Sequence, residues 1–289
     1  MQEIVIEALK EVYLSHQALG EKGKEVLQVK APTHKSEFVQ VLRADLEAEE
    51  TVLNYLTKHG VPIRVVSEEH GVIDIVSRPR LLGTLDGIDG TKAYLWGGRR
   101  YGTMFNIFGN IHPNYRDYLA AGIIDYPSGR LAVASKGNGT FVLDGERVDK
   151  VQTSRAAVLD QDQTRIYIDG SFEVNKETFE ARLRGFKKLF SHNPDNPASS
   201  AVCYFDLVTG DADFVLECTR KGNLELAVAY GLVMESGGVM VDLRGKDMGQ
   251  QRYLEFGQGK GEYIPIISAC NPILAAKLLE FLKTPLDKD

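Results

Sequence analysis

Arg80-Leu81-Leu82-Gly83-Thr84-Leu85-Asp86-Gly87-Ile88-Asp89-Gly90-Thr91 is the stretch from which the rest of the chain can be read. A β-rich run, Arg80–Leu85, leads straight into a turn that carries two carboxylates three residues apart. A D-x-x-D turn lets the two acids converge while the intervening Ile88 carbonyl faces inward. Hard cations such as Mg²⁺ take that set of oxygens in octahedral geometry. Gly90 and Thr91 can then open a helical turn whose free N–H groups point at an anion. The Thr91 hydroxyl would lie beside the ions, able to orient a water. Taken alone, the same letters also describe an ordinary turn closed by Asx hydrogen bonds.

Working outward, short β-rich runs separated by Gly, Pro and Asn occupy Ile63–Val66, Val72–Val76, Thr103–Gly109, Leu119–Ile124, Arg130–Ala134 and Thr140–Leu143. Their close spacing predicts an antiparallel sheet. Two amphipathic helices precede it, over residues 2–18 and from Leu42 to His59, the second ending at the turn Gly60-Val61-Pro62. After a more polar segment, Val151–Ala157, the pattern changes. Strands are expected at Ile166–Ile168, Asp213–Leu216, Gly238–Asp242 and Ile264–Ser268. Helices are expected at Asn175–Phe186, Ser199–Thr209, Leu224–Ser236 and Asn271–Lys283. Such alternation predicts a layered α/β half. The chain therefore divides near residue 155 into an α+β half, 1–155, with most of the acids, and an α/β half, 156–289, with Glu225. The two are expected to pack as one unit.

Composition narrows the function classes. The 289 residues are 43% hydrophobic and 26% charged, with a net charge of 34 − 40 = −6, values of an ordinary globular protein. The negative balance argues against a nucleic-acid polymer as partner, but a bound cation can reverse the sign locally for a small anion. No apolar run is long enough to cross a membrane. The N-terminus reads as a structural helix instead of a signal peptide, so the expected location is cytoplasmic. Cys203, Cys218 and Cys270 form no CxxC and read as buried free thiols. Zinc-type His pairs, a P-loop and a Gly-x-Ser-x-Gly element are all missing from the sequence.

Two further acidic positions accompany the turn: Glu68-Glu69 in Ser67-Glu68-Glu69-His70, at a strand end, and Glu225, at a helix start. Separately, the pair is a solvated strand end and Glu225 a favourable charge at a helix N-terminus. Together on strand and helix ends, they point to chemistry. Crowded carboxylates repel and call for cations or raised pKa values, and paired cations can hold phosphate oxygens and steady a departing alkoxide.

In this combination the sequence resembles the inositol monophosphatase family, part of the lithium-sensitive, Mg²⁺-dependent phosphatases that include fructose-1,6-bisphosphatases and bisphosphate nucleotidases. Val41-Leu42-Arg43-Ala44-Asp45, with Glu49 four residues on, resembles its T-x-A-D helix start. Glu68-Glu69 resembles its Glu pair, and Asp86–Thr91 its D-P-[IL]-D-G-T, with Tyr94 as the aromatic that follows. Ala198–Ala201 with Gly210–Phe214 resembles G-S-A…G-x-x-D-A-Y, and Leu224–Gly238 its W-D-x-A-A-G helix. The resemblance implies an αβαβα sandwich, commonly dimeric. Two or three Mg²⁺ ions would be held by Glu68, Asp86, Asp89, Glu225 and the Ile88 carbonyl. Asp45 and Thr91 would orient or activate the attacking water, Glu69 would support them, and the Gly90 and Thr91 backbone would bind phosphate. Attack would be direct and in line, on an inositol- or sugar-phosphate-like metabolite.

Departures mark where the resemblance weakens. Gly87 stands for the usual Pro, and Leu224-Glu225 for Trp-Asp; Glu is one methylene longer but still a hard oxygen donor. Candidate substrate contacts are Lys35, Ser199, Glu217, Arg220 and Lys221. The last two sit in a segment that differs from the family's and adds positive charge. They motivate an alternative, a phosphatase of bisphosphates such as 3′-phosphoadenosine 5′-phosphate or fructose 1,6-bisphosphate. A second alternative, of another class, is a homologue that binds ligand without turnover.

Overall fold

The computed structural model describes residues 1–30, 38–168, 179, 181–189, 198–219, 224–256 and 264–283. Lys35, Arg220 and Lys221 lie outside the described residues, as do residues 175–178 and 180 of the helix expected at Asn175–Phe186, of which Ala181–Leu183 is helical.

Helix α1 (Gln2–Leu19) buries Val5, Ala8, Leu9 and Val12, the i, i+3, i+4, i+7 stripe of an amphipathic helix. A hairpin of β1 (Val26–Lys30) and β2 (Phe38–Leu42), which the sequence pattern did not reveal, leads into α2 (Arg43–Lys58). The first large sheet then follows: β3 (Ile63–Ser67), β4 (Gly71–Asp74), β5 (Leu81–Asp89), β6 (Gly102–Phe108), β7 (Tyr118–Asp125), β8 (Arg130–Ser135), β9 (Gly139–Asp144) and β10 (Arg147–Val151). Spatial order is β10-β9-β8-β7-β6-β5-β3-β4. All pairs are antiparallel except β3 with β5. That exception departs from the purely antiparallel expectation. The β4 hairpin occupies one edge of β3, so β5 takes the other edge, running in the same direction. β10 carries no buried residue to mark a period-2 pattern, being exposed or half-buried throughout, as suits an edge strand.

The middle strands are buried on both faces, and every residue of β6 is buried. Period-2 alternation sends Met104 and Phe108 into one apolar cluster and Phe105 and Ile107 into another. Helices α1 and α2 cover the second face. The first is covered by α4 (Ser200–Thr209) and α5 (Leu224–Glu235). α5 is apolar nearly all round and buries Leu224 and Leu226–Val233, as expected of a helix lying between two sheets. The second sheet has the order β11-β12-β14-β13, from β11 (Ile166–Ile168), β12 (Phe214–Thr219), β13 (Val239–Asp242) and β14 (Ile264–Ala269). Helix α6 (Pro272–Lys283), behind β14, completes the αβαβα layering. Residues of both halves share a single apolar cluster, from Leu82 and Met104 to Phe214 and Ile267. Cys270 is a buried free thiol, as read from the sequence, whereas Cys203 is only half-buried.

Candidate active site

A β-bulge builds the centre of the site. Asp86 pairs with Met104 and Asp89 with Gly102, so Gly87 and Ile88 oppose the single residue Thr103. Without that extra residue, alternation along the strand would send Asp86 and Asp89 to opposite faces. The carbonyl of Gly87, out of the ladder, accepts a hydrogen bond from the Thr103 hydroxyl, which also lies 2.6 Å from Tyr126 Oη. Carboxylate oxygens of Asp86, Asp89 and Glu225 lie within 4.8 Å of one another.

Asp86 is 3% exposed, and its Oδ1 has no hydrogen-bond partner among the described residues. Burial pushes its carboxyl well above the usual range, reinforced by the charges of Asp89, Glu68, Glu225 and Asp45. Asp45, on the first turn of α2, is pushed up to about 8 by burial and by the charges of Glu69, Glu68 and Glu49. The Ile88 main-chain N–H donates to Asp45 and partly opposes that rise. On the other side of the same residue, the Ile88 carbonyl accepts from Thr91 Oγ1 at 3.1 Å. One residue thus tethers both Asp45 and Thr91. A buried acid with an unpartnered oxygen, among acids that repel it, has the chemistry of a hard-cation site.

Glu68 and Glu69 follow β3 in a turn, Glu68 exposed and Glu69 half-buried. Their placement depends on Glu49, a fully buried residue given no role by the sequence reading. Its carboxylate accepts the main-chain N–H groups of Glu68, Glu69 and His70 at 3.0, 3.1 and 3.1 Å, and His70 Nδ1 lies 2.6 Å away. A signal for it existed: Asp45 and Glu49 fall in the buried stripe of α2, with Ala44, Ala48 and Val52, where unpaired acids are not tolerated.

Ser199 donates to Asp89 instead of facing open space. Its Oγ lies 2.5 Å from Asp89 Oδ2 and accepts from Val202 N at 3.3 Å as the cap of α4. Ala201 N donates to the same Oδ2 at 2.6 Å. The helix N-terminus therefore stabilises Asp89 as an anion. Gly90 leads into the short helix α3 (Thr91–Trp96) at φ +92°, and a Cβ there would lie 2.7 Å from that of Ser199. Only glycine satisfies both conditions. Gly87 is explained as well: a Cβ would come within 2.5 Å of the Asp45 carbonyl oxygen.

Glu217, on β12, is buried and accepts from Tyr204 Oη at 3.0 Å. Tyr115 and Tyr253, both fully buried with centroids 5.9 Å apart, feel the charge of Glu225, and Tyr115 that of Glu217 too. Neither tyrosine carried a recognisable motif.

The inositol monophosphatase family model matches residues 1–271. The chain belongs to the inositol monophosphatase family. A relative in this family, the fructose-1,6-bisphosphatase/inositol-1-monophosphatase of Methanothermobacter thermautotrophicus, is 23% identical over 212 residues, covering 71% of each chain. The structure of extragenic suppressor protein suhB from Bartonella henselae superposes with a TM-score of 0.76 at 17% identity, covering 98% of both chains. An IMPase/NADP phosphatase complexed with Mg²⁺ and phosphate does so at 0.69 and 16%, covering 98% of this chain and 95% of the other. As a family member, the protein is a metal-dependent phosphoric monoester hydrolase acting on small phosphorylated metabolites. Among the described residues, no helix is long and apolar enough to cross a membrane.

Proposed function

We propose that the enzyme hydrolyses the phosphomonoester of a small polar metabolite, inositol- or sugar-phosphate-like, with Mg²⁺ and by in-line attack of water. The observation that carries this is the meeting of Asp86, Asp89 and Glu225 within 4.8 Å, Asp86 buried with an unpartnered oxygen. Those carboxylates, Glu68 and the Ile88 carbonyl would hold two or three Mg²⁺ ions, with Ile88 also accepting from Thr91. Bound Mg²⁺ would offset the crowded negative charge, polarise the phosphate oxygens and acidify a water.

The chain's own groups then divide the work. Asp45, held on the first turn of α2 by the Ile88 main-chain N–H, accepts the proton from the attacking water. Thr91 Oγ1, oriented by Ile88, aligns that water, and Glu69 adds negative charge beside Asp45. Main-chain N–H groups at Gly90 and Thr91 bind the phosphate. Ser199 holds the Asp89 carboxylate in place through its hydroxyl, a positioning role in place of direct substrate contact. Glu217 is available to a substrate hydroxyl. The subunits are proposed to pair as a homodimer.

A metabolite-phosphate panel that includes inositol 1-phosphate, fructose 1,6-bisphosphate and 3′-phosphoadenosine 5′-phosphate tests the reading; the first two are suggested by the name of the Methanothermobacter thermautotrophicus relative, a fructose-1,6-bisphosphatase/inositol-1-monophosphatase. Mg²⁺-dependent phosphate release is expected, lost in Asp89→Asn or Asp86→Asn with the fold retained. Ligand binding in calorimetry without any turnover across the panel would favour a non-catalytic homologue and refute the proposal.

A further inference from the structure

One buried polar tie lies between the central strands and the central helix. Asn106 on β6, Thr84 on β5 and Ala227 on α5 are all fully buried. Asn106 Oδ1 accepts from Thr84 N at 3.2 Å and from Thr84 Oγ1 at 2.8 Å, while its Nδ2 donates to the Ala227 carbonyl at 2.9 Å. Two donors on one side and an acceptor on the other fix which way the amide points. The surroundings are apolar: Leu82, Met104 and Phe108 on the same sheet face, and Leu226 and Ala229 on the helix. A leucine would serve packing there equally well, so packing does not account for the amide.

The location suggests what does. Thr84 precedes Asp86 by two residues and shares its strand face, and Ala227 follows Glu225 by two residues in the first turn of α5. The tie spans the gap between the strand bearing Asp86 and the helix bearing Glu225. Apolar contacts alone would let the helix slide or rotate, whereas a fully satisfied polar network selects one setting.

We propose that Asn106 is a positioning residue for the cation-binding carboxylates, setting α5 so that Glu225 faces Asp86 and Asp89. The inference rests on the metal-site reading above. The test replaces both partners, Thr84→Val with Asn106→Leu, so that no Thr84 hydroxyl is stranded. Metal-free protein is titrated with Mn²⁺ alone by calorimetry, and unfolding is followed by circular dichroism in chelator. The double variant is expected to keep its metal-free helix content and unfolding temperature while Mn²⁺ affinity falls by about ten- to a hundredfold, as for other outer-sphere changes. Should it not fold, Thr84→Val alone, which keeps the bond to Ala227 but frees the amide to rock, is expected to weaken Mn²⁺ binding severalfold. Wild-type Mn²⁺ affinity in whichever of these variants folds overturns the proposal. If wild type binds no Mn²⁺, or Asp86→Asn binds it as tightly, the metal-site reading itself fails and the inference falls with it.

Discussion

Removing the metal and raising the pH should destabilise the fold through Asp45. Its carboxyl is shifted from 3.8 in the free group to about 8 by burial and three neighbouring acids. Because the folded value lies above the unfolded one, the stabilisation is complete below about pH 4 and is lost as pH rises through 8. Over pH 6.5 to 8, linkage assigns Asp45 a loss on the order of 1–2 kcal/mol, from 2.303RT per unit of pH weighted by the protonated fraction. For a chain of this size that is roughly 3–6 °C in unfolding temperature. The window matters, because His16, packed against the tilted Tyr126 ring and pushed down to about 4 by burial, contributes in the opposite sense only below about 6.5. His70, raised by its bond to Glu49, and Asp86, raised by burial, act in the same direction as Asp45, so a control is needed. The assay is thermal unfolding in chelator at both pH values, for wild type and Asp45→Asn, repeated with millimolar Mg²⁺. The wild-type temperature should fall in chelator, fall less with Mg²⁺, and change least in Asp45→Asn. A flat or rising metal-free profile, or an undiminished slope in Asp45→Asn, would refute the reasoning.

Three substitutions probe other parts of the site. Glu49→Ala strands three main-chain N–H groups at the Glu68-Glu69 turn; a stability loss of about 3 kcal/mol and weaker Mg²⁺ activation should appear together in urea melts and metal titrations. Ser199→Ala removes a helix cap and a donor to Asp89, for a cost of about 1 kcal/mol and a higher Mg²⁺ concentration at half-maximal rate. Gly87→Ala drives a Cβ against the Asp45 carbonyl; a loss of about 1–3 kcal/mol in urea melts, with reduced turnover, is expected, and a neutral result would mean α2 can retreat at no cost.

Much of the fold was legible because period is a local property. The buried stripe of α1, the apolar-all-round α5 and most strands of the first sheet follow from 3.6- and 2-residue patterns. Edge elements were not: β10 and the β1–β2 hairpin carry little alternation of their own and are held by their partners. The parallel β3–β5 pair also escaped, because strand direction depends on which edge the β4 hairpin leaves open.

By itself, the sequence determined the identity and chemistry of the acids, since D-x-x-D-G-T with a Glu pair and a distant Glu225 is a local oxygen-rich pattern. Only tertiary structure decided their geometry. Alternation alone would part Asp86 from Asp89, and a bulge opposite Thr103 reunites them. Glu49 looks like one more helix acid until its carboxylate is seen holding the turn that carries Glu68 and Glu69. Asn106 has no motif at all. A hydrogen bond exists only when its partner arrives, and for these residues the partner comes from another element of the fold.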